Sequence, residues 1–166
     1  MVHTVHLSRG DYYFVPPGAL NLLQTTSKSY EIVVFTSGTQ NYADSILNHL
    51  DPHGFFIRHR IYRQHTDGMH YKNIDKLGRK LSKTIIVDNN SLNFQLHPNN
   101  GLYIKIWKDD IDDHQLFGLR NLLDHIAKIG FKDMREAIRC IKKQLHNRDI
   151  DRLSNPYDQI DLQMIK

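Results

Sequence analysis

Two loops in this chain of 166 residues carry residue types suited to binding an anion and a hard cation. Phe35-Thr36-Ser37-Gly38-Thr39 follows an apolar run and precedes a helical pattern. Hydroxyls and backbone N–H groups at such a junction converge on an anion at the helix N-terminus. A Thr-Ser-Gly there serves equally well as a plain helix cap, so taken alone the loop leaves both uses open. Asp88-Asn89 ends a second apolar run and offers oxygen ligands for a cation such as Mg²⁺, or simply a turn. Lys72, in His70-Tyr71-Lys72-Asn73, reads by itself as a solvated surface lysine. Eleven histidines invite zinc, yet His3 and His6, or His65 and His70, have no carboxylate or thiolate companions at ligand spacing.

These loops need a frame. Tyr30-Glu31-Ile32-Val33-Val34-Phe35 is short, β-branched and almost continuously apolar, the pattern of a parallel strand buried on both faces by helices. Pro16-Pro17-Gly18 opens a short helix before it. Asn41 to Leu50 supplies another, with Tyr42, Ile46 and Leu50 on its apolar stripe. Phe55 to Tyr62 alternates as a half-exposed strand, Phe56, Arg58 and Arg60 facing one way and Phe55, Ile57, His59 and Ile61 the other. Thr66-Asp67-Gly68-Met69 has the make-up of a hairpin turn. Thr84-Ile85-Ile86-Val87 is a second buried strand ending at Asp88, and Leu102 to Trp107 a third. Asp113 to Ile129 and Lys132 to Asn147 close the domain as helices, with Gly130 between them as a cap. Strands alternating with helices predict an α/β domain over residues 1–147, whose ligands bind at the carboxyl ends of the strands. Residues 148–166, charged and sparsely apolar, are expected to form a mobile tail or a docking strap.

Composition narrows the function classes. No apolar run reaches the roughly 18 residues of a membrane span, and Met1-Val2-His3-Thr4-Val5-His6 has the pattern of neither a signal nor a transit peptide. The single cysteine, Cys140, cannot form an internal disulfide, which favours a reducing compartment. A net charge of +4 suits phosphorylated or acidic partners, but the basic residues never form a run of five, so charge does not point to nucleic acid.

The segments Tyr30 to Ser37, Tyr42-Ala43-Asp44, Ile61 to His65, Leu77 to Asn89, His97 to Gly101, Trp107-Lys108-Asp109-Asp110 and Asp133-Met134-Arg135 occur in one order and spacing. As a set they resemble the small C-terminal-domain phosphatases, also called the NLI-interacting-factor family, of the haloacid dehalogenase superfamily, over roughly residues 12 to 145. The resemblance implies a haloacid-dehalogenase-like Rossmannoid three-layer sandwich, with a small β insertion between the second and third motifs. It also implies roles. Thr36 is similar to the hydroxyl that holds the transferred phosphoryl group, with Ser37 its neighbour in the substrate site. Lys72 resembles the lysine that offsets the charge of nucleophile and phosphate, a task suited to a point cation. Arg63 is similar to the basic residue that contacts the substrate phosphate. Asn89 resembles the Mg²⁺ ligand, and Asp88 beside it organises the lysine and the metal shell.

The family's first strand ends in Asp-x-Asp-x-Thr, whose first aspartate attacks phosphorus, and nothing in this sequence matches it. Met1-Val2-His3 aligns with the residues that follow that motif, so the first catalytic strand is read as missing. Neither Asp11 nor Asp44 ends a buried strand. Covalent transfer needs the carboxylate, and Mg²⁺ would bind weakly or not at all with Asn89 and water alone. The chain as written is therefore expected to be an inactive relative of Mg²⁺-dependent protein serine/threonine phosphatases, or part of an active one. One alternative is a pseudophosphatase scaffold whose empty sheet position is filled by Thr4 to Leu7 or by a partner's strand. Another is a relative of the mitochondrial inner-membrane import receptor, which Asp51-Pro52-His53-Gly54-Phe55 also resembles. The expected partner is accordingly a phosphopeptide or a protein completing the sheet. The favoured compartments are nucleus and cytoplasm, with the mitochondrion following from the import reading.

Overall fold

The computed structural model describes residues 3–7, 10–67, 71–146, 153 and 155–165, residues 3–13 by their backbone alone. Strand β1 (His3–Leu7) pairs antiparallel with β2 (Gly10–Phe14), His3 opposite Phe14 and Leu7 opposite Gly10. Helix α1 (Ala19–Thr26) follows, entered through Gly18 at φ 82°. A side chain at Gly18 would also press on the Phe117 ring, 3.0 Å from an added Cβ. Next come β3 (Ile32–Phe35), α2 (Gln40–Leu50), β4 (Ile57–Ile61), β5 (Ile86–Asp88), β6 (Gly101–Tyr103), α3 (Gln115–Ile129) and α4 (Met134–Leu145). Short 3₁₀ turns link them, among them Arg63–His65, Ile74–Leu77 and Ser91–Phe94.

The parallel strands fall into two pairs. β3 lies beside β4, and β5 beside β6, each in parallel register, and among the described residues no ladder joins one pair to the other. The apolar sequence of Ile32 to Phe35 anticipates burial on both faces, yet all four residues are only half buried. A strand with a neighbour on one side only leaves the side chains along its other edge short of cover. Thr4 to Leu7 does not fill that edge; it pairs with β2, because a hairpin closes a shorter loop at a smaller entropic cost than a distant insertion.

Several elements differ in detail from the sequence pattern. The buried stripe of α2 is Ala43, Ile46 and Leu47, while Tyr42 is 44% exposed, so the helix is rotated by about one residue from the expected face. In β4 the expected alternation breaks: Ile57 is buried, but both Arg58 and His59 are exposed. The register shift opposite Ile32 and Val33 inserts an extra β4 residue at this point, and such a bulge re-aims the side chains beyond it. β6 stops at Tyr103, the second residue of the expected strand. Among the described residues the insertion shows one antiparallel bridge, Asp67 to Tyr71; Gly68 and Met69 of the expected turn lie outside them.

The main core sits where α3 and α4 meet β6. Ile126, Ala137, Ile138 and Ile141 are fully buried there with Leu102, Leu119 and Leu122, each large aliphatic side chain contributing about 1.5–3 kcal/mol of burial. Part of the segment expected to be a tail or strap belongs to this core. Tyr157, Ile160 and Ile165 pack into it, and the Tyr157 hydroxyl donates to the Tyr103 carbonyl. Asn155 anchors the strap by donating to the His114 carbonyl at 2.9 Å, a contact that leaves no room for a side chain at Gly118.

Asp51 sets the path from α2 into β4. Its buried carboxylate accepts from the backbone N–H groups of Phe55, Phe56 and Ile57 at 2.9, 3.0 and 2.8 Å, around a turn in which Gly54 has φ 65°. Burial pulls its pKa upward, but the three amides outweigh burial and hold it below the usual aspartate range. A carboxyl depressed in the fold contributes stability above its unfolded pKa of about 4 and loses it as pH falls through the folded value. Urea unfolding should show Asp51→Ala less stable by about 3 kcal/mol at neutral pH, with a flatter loss of stability below about pH 4 than the native chain shows.

Candidate functional site

The carboxyl end of β3 runs into Thr36, whose N–H donates to the Ile61 carbonyl at 2.9 Å and carries the ladder one residue past the strand. The Thr36 hydroxyl oxygen accepts from the Gly38 N–H at 3.0 Å. The cap residue of α2 is Thr39, which makes no side-chain cap bond. Neither Thr36 nor Ser37 is therefore the cap residue of α2, and the Thr36 hydroxyl closes a local turn. Arg63, at the end of β4, closes on the same loop. Its backbone N–H donates to the Gly38 carbonyl at 3.0 Å, and its Nε donates to the Ser37 carbonyl at 2.6 Å. The guanidinium is thereby held on the exposed rim of the Thr36-Ser37 turn.

A bond network fixes this rim to the helix behind it. The Tyr62 hydroxyl and Arg60 Nη1 both donate to Asp44 Oδ1, at 2.7 and 2.9 Å. The Tyr62 bond, then the Arg60 bond, draws the Asp44 carboxyl below its usual range, while burial pushes the Tyr62 phenol up. Asp44 is thus a tie between α2 and β4.

The second half of the site forms at the end of β5. Lys72 is not a solvated lysine: its side chain is 12% exposed, and its ammonium donates to Asp88 Oδ2, on a side chain 3% exposed. The other carboxylate oxygen, Oδ1, accepts from Asn90 N–H at 2.8 Å and from Asn93 Nδ2 at 2.9 Å. The Lys72 backbone N–H donates to the Asn93 carbonyl at 2.9 Å. Burying an ion pair is costly unless its remaining valences are met, and these donors meet those of the carboxylate. Asn89 is half buried beside the pair, and its side chain makes no hydrogen bond among the described residues. Asn90 and Asn93 carry no assignment from the sequence; the one available signal is the polar run Asn89-Asn90-Ser91, whose residue types bond readily to nearby backbone.

The structure thus joins Thr36 and Ser37 with Arg63, and Lys72 with Asp88 and Asn89, as two half-sites at the carboxyl ends of strands in different pairs. One half-site presents a hydroxyl and a guanidinium, the other an ammonium. Mg²⁺ is a poorer match, because the available oxygens are a neutral Asn89 amide and a carboxylate already accepting three donors. Among the described residues no group of three or more His, Cys, Asp or Glu side chains is placed to hold a metal. Nor is any helix among them long and apolar enough to cross a membrane.

Residues 2–135 match the family described as NLI interacting factor-like phosphatase. The chain is 41% identical over 130 residues to "Mitochondrial import inner membrane translocase subunit TIM50-A" of Drosophila melanogaster, covering 76% of this chain and 38% of that protein. It is 38% identical over 121 residues to "Probable C-terminal domain small phosphatase" of Dictyostelium discoideum, covering 71% of this chain and 39% of the relative. It thus spans less than half the length of these curated relatives. The solved structure of Fcp1, titled an essential RNA polymerase II CTD phosphatase, superposes with a TM-score of 0.66 at 15% identity, over 94% of this chain and 58% of that one. This likeness carries the α/β fold.

Removing one partner of the buried pair should be far worse than replacing both. Lys72→Ala is expected to cost about 3 kcal/mol in urea unfolding, and the double change Lys72→Met with Asp88→Asn to recover most of that loss.

Proposed function

The chain belongs to the NLI interacting factor-like phosphatase family, and from that premise we propose that it binds a phosphoserine or phosphothreonine held in an extended peptide. In this reading the Thr36 hydroxyl bonds a phosphoryl oxygen, the Lys72 ammonium offsets the phosphate charge, and Arg63 reaches it from the rim beside Ser37. Asp88 holds Lys72 in place. Asn89 stands ready as a ligand for Mg²⁺, the ion whose charge would assist phosphoryl transfer once further carboxylates are supplied.

The same reading makes the domain, as its sequence stands, a phosphate reader that does not hydrolyse. The carrying observation is the chemistry at the strand ends. β3 runs into Thr36, β4 into Tyr62 and β6 into Ile104, while the single carboxylate, Asp88 at the end of β5, is engaged by Lys72, Asn90 and Asn93. Displacement at phosphorus through an aspartyl-phosphate, the route the family resemblance implies, needs a free carboxylate in line with the leaving oxygen. A parallel strand lodged between β3 and β5 and ending in that carboxylate would supply the nucleophile and two anionic metal ligands, and would pair both open edges. The strand's source decides the role: with it the unit is a Mg²⁺-dependent protein phosphatase, without it a pseudophosphatase scaffold or subunit.

A second reading, a binding subunit of a mitochondrial protein translocase, rests on the 41% identity to a relative of that name. It too requires a peptide site and no nucleophile. The first reading belongs with a nuclear or cytoplasmic protein and the second with the mitochondrion.

Purified alone, the chain should leave p-nitrophenyl phosphate intact with or without Mg²⁺. Adding a synthetic apolar peptide that ends in Asp-x-Asp-x-Thr should produce Mg²⁺-dependent turnover that Lys72→Ala abolishes. Turnover by the unaided chain, lost in Lys72→Ala, would overturn the non-hydrolysing reading.

A further inference from the structure

We infer that Asn93 is a positioning residue for the Lys72 ammonium, a role that deepens the phosphate-binding reading and rests on it. Lysine presents a point charge on a flexible four-carbon stem, so its use in a binding site depends on what immobilises it. Asn93 does so at both ends. Its carbonyl accepts from the Lys72 backbone N–H at 2.9 Å and sets the root of the side chain. Its Nδ2 donates at 2.9 Å to Asp88 Oδ1, the carboxylate whose other oxygen receives the ammonium, and so sets the tip.

The amide bond also bears on charge. A bare carboxylate against Lys72 would quench much of the field that an incoming anion is to feel. Donation from Asn90 N–H and Asn93 Nδ2 to Oδ1 draws negative charge to the oxygen that faces away from Lys72. The ammonium keeps two N–H groups without a protein partner among the described residues, free for an anion. Asn90 contributes through its backbone, so Asn93 is the neutral side chain whose replacement would alter this balance. The turn that carries it is anchored independently: Phe94 is buried against Gly101, where an added Cβ would lie 2.1 Å from its ring, and Asn93 N–H donates to the Asn90 carbonyl at 3.0 Å. A change in the Asn93 amide therefore leaves the turn's own supports in place.

The test uses the purified chain and sulfate, an anion whose charge is constant between about pH 5 and pH 8, titrated at fixed ionic strength and followed by the NMR amide shifts of Thr36, Ser37 and Lys72. Asn93→Asp keeps shape and backbone but replaces the donor with a carboxylate facing Asp88 and, through it, Lys72. It should bind sulfate about tenfold more weakly than the native chain at about pH 8 and recover at about pH 5, where the new carboxyl, raised by its neighbour, regains a proton to donate. Asn93→Ala should be weakened at both pH values. The native chain at both values controls for His97, whose Nε2 lies 3.2 Å from Asn73 Oδ1 and 3.4 Å from Asp75 Oδ2, next to Lys72. Affinities equal to native in both variants overturn the role of Asn93 and leave the phosphate-binding reading standing; no response to sulfate in the native chain overturns both. Should either variant fail to fold, the native side-chain amide of Asn93 decides: it is expected to exchange slowly and to shift with sulfate, and an Asn93 amide unmoved while Lys72 shifts refutes the inference.

Discussion

The buried pair of Lys72 and Asp88 is the constraint around which the candidate site is arranged. Two charges withdrawn from water at the end of a strand are costly unless further hydrogen bonds offset their desolvation. Asn90 and Asn93 meet those of the carboxylate, and the 3₁₀ turn Ser91–Phe94 exists in the form that lets them do so. The insertion between β4 and β5 must return to this turn, since the Lys72 backbone bonds to Asn93. A cation held this firmly costs little further entropy when an anion arrives.

The second constraint is the division of the parallel strands. Sheets of this kind are stable when continuous and covered on both faces, and two strands alone bury too little. Here the helices and the strap build a dense core on the β5–β6 side, with Leu102, Ile126 and Ile141 almost wholly enclosed. β3 has no such protection, and its four apolar residues remain half buried. The two halves of the site follow the same division, Thr36 with Arg63 on one pair and Lys72 with Asp88 on the other. Completing the sheet and completing the chemistry are, in the reading proposed for this family member, one event.

Much of this was legible in the residues. The apolar runs before Thr36 and Asp88 marked β3 and β5, and Gly130 marked the end of α3, where it adopts φ 72°. Thr36, Ser37, Arg63, Lys72, Asp88 and Asn89 take their assignment from the order and spacing of family motifs; of these the structure bonds Arg63 to Ser37 and Lys72 to Asp88, although Lys72 alone has the appearance of a surface residue. The face of α2, the bulge in β4 and the place where the strap docks were not legible. Each depends on partners distant in sequence, such as the Asn155 contact with His114 and Gly118, which no local period records.

By itself the sequence determined which residue types follow the apolar runs and that Asp-x-Asp-x-Thr does not occur among its 166 residues, because residue identity and spacing are properties of the chain. Only the tertiary structure decided that Lys72 is buried against Asp88, that Asn93 grips both, and that β1 pairs with β2 and with none of the parallel strands among the described residues. Those outcomes are settled by competition for desolvated partners across the fold, a quantity that depends on what surrounds each group and not on its place in the chain.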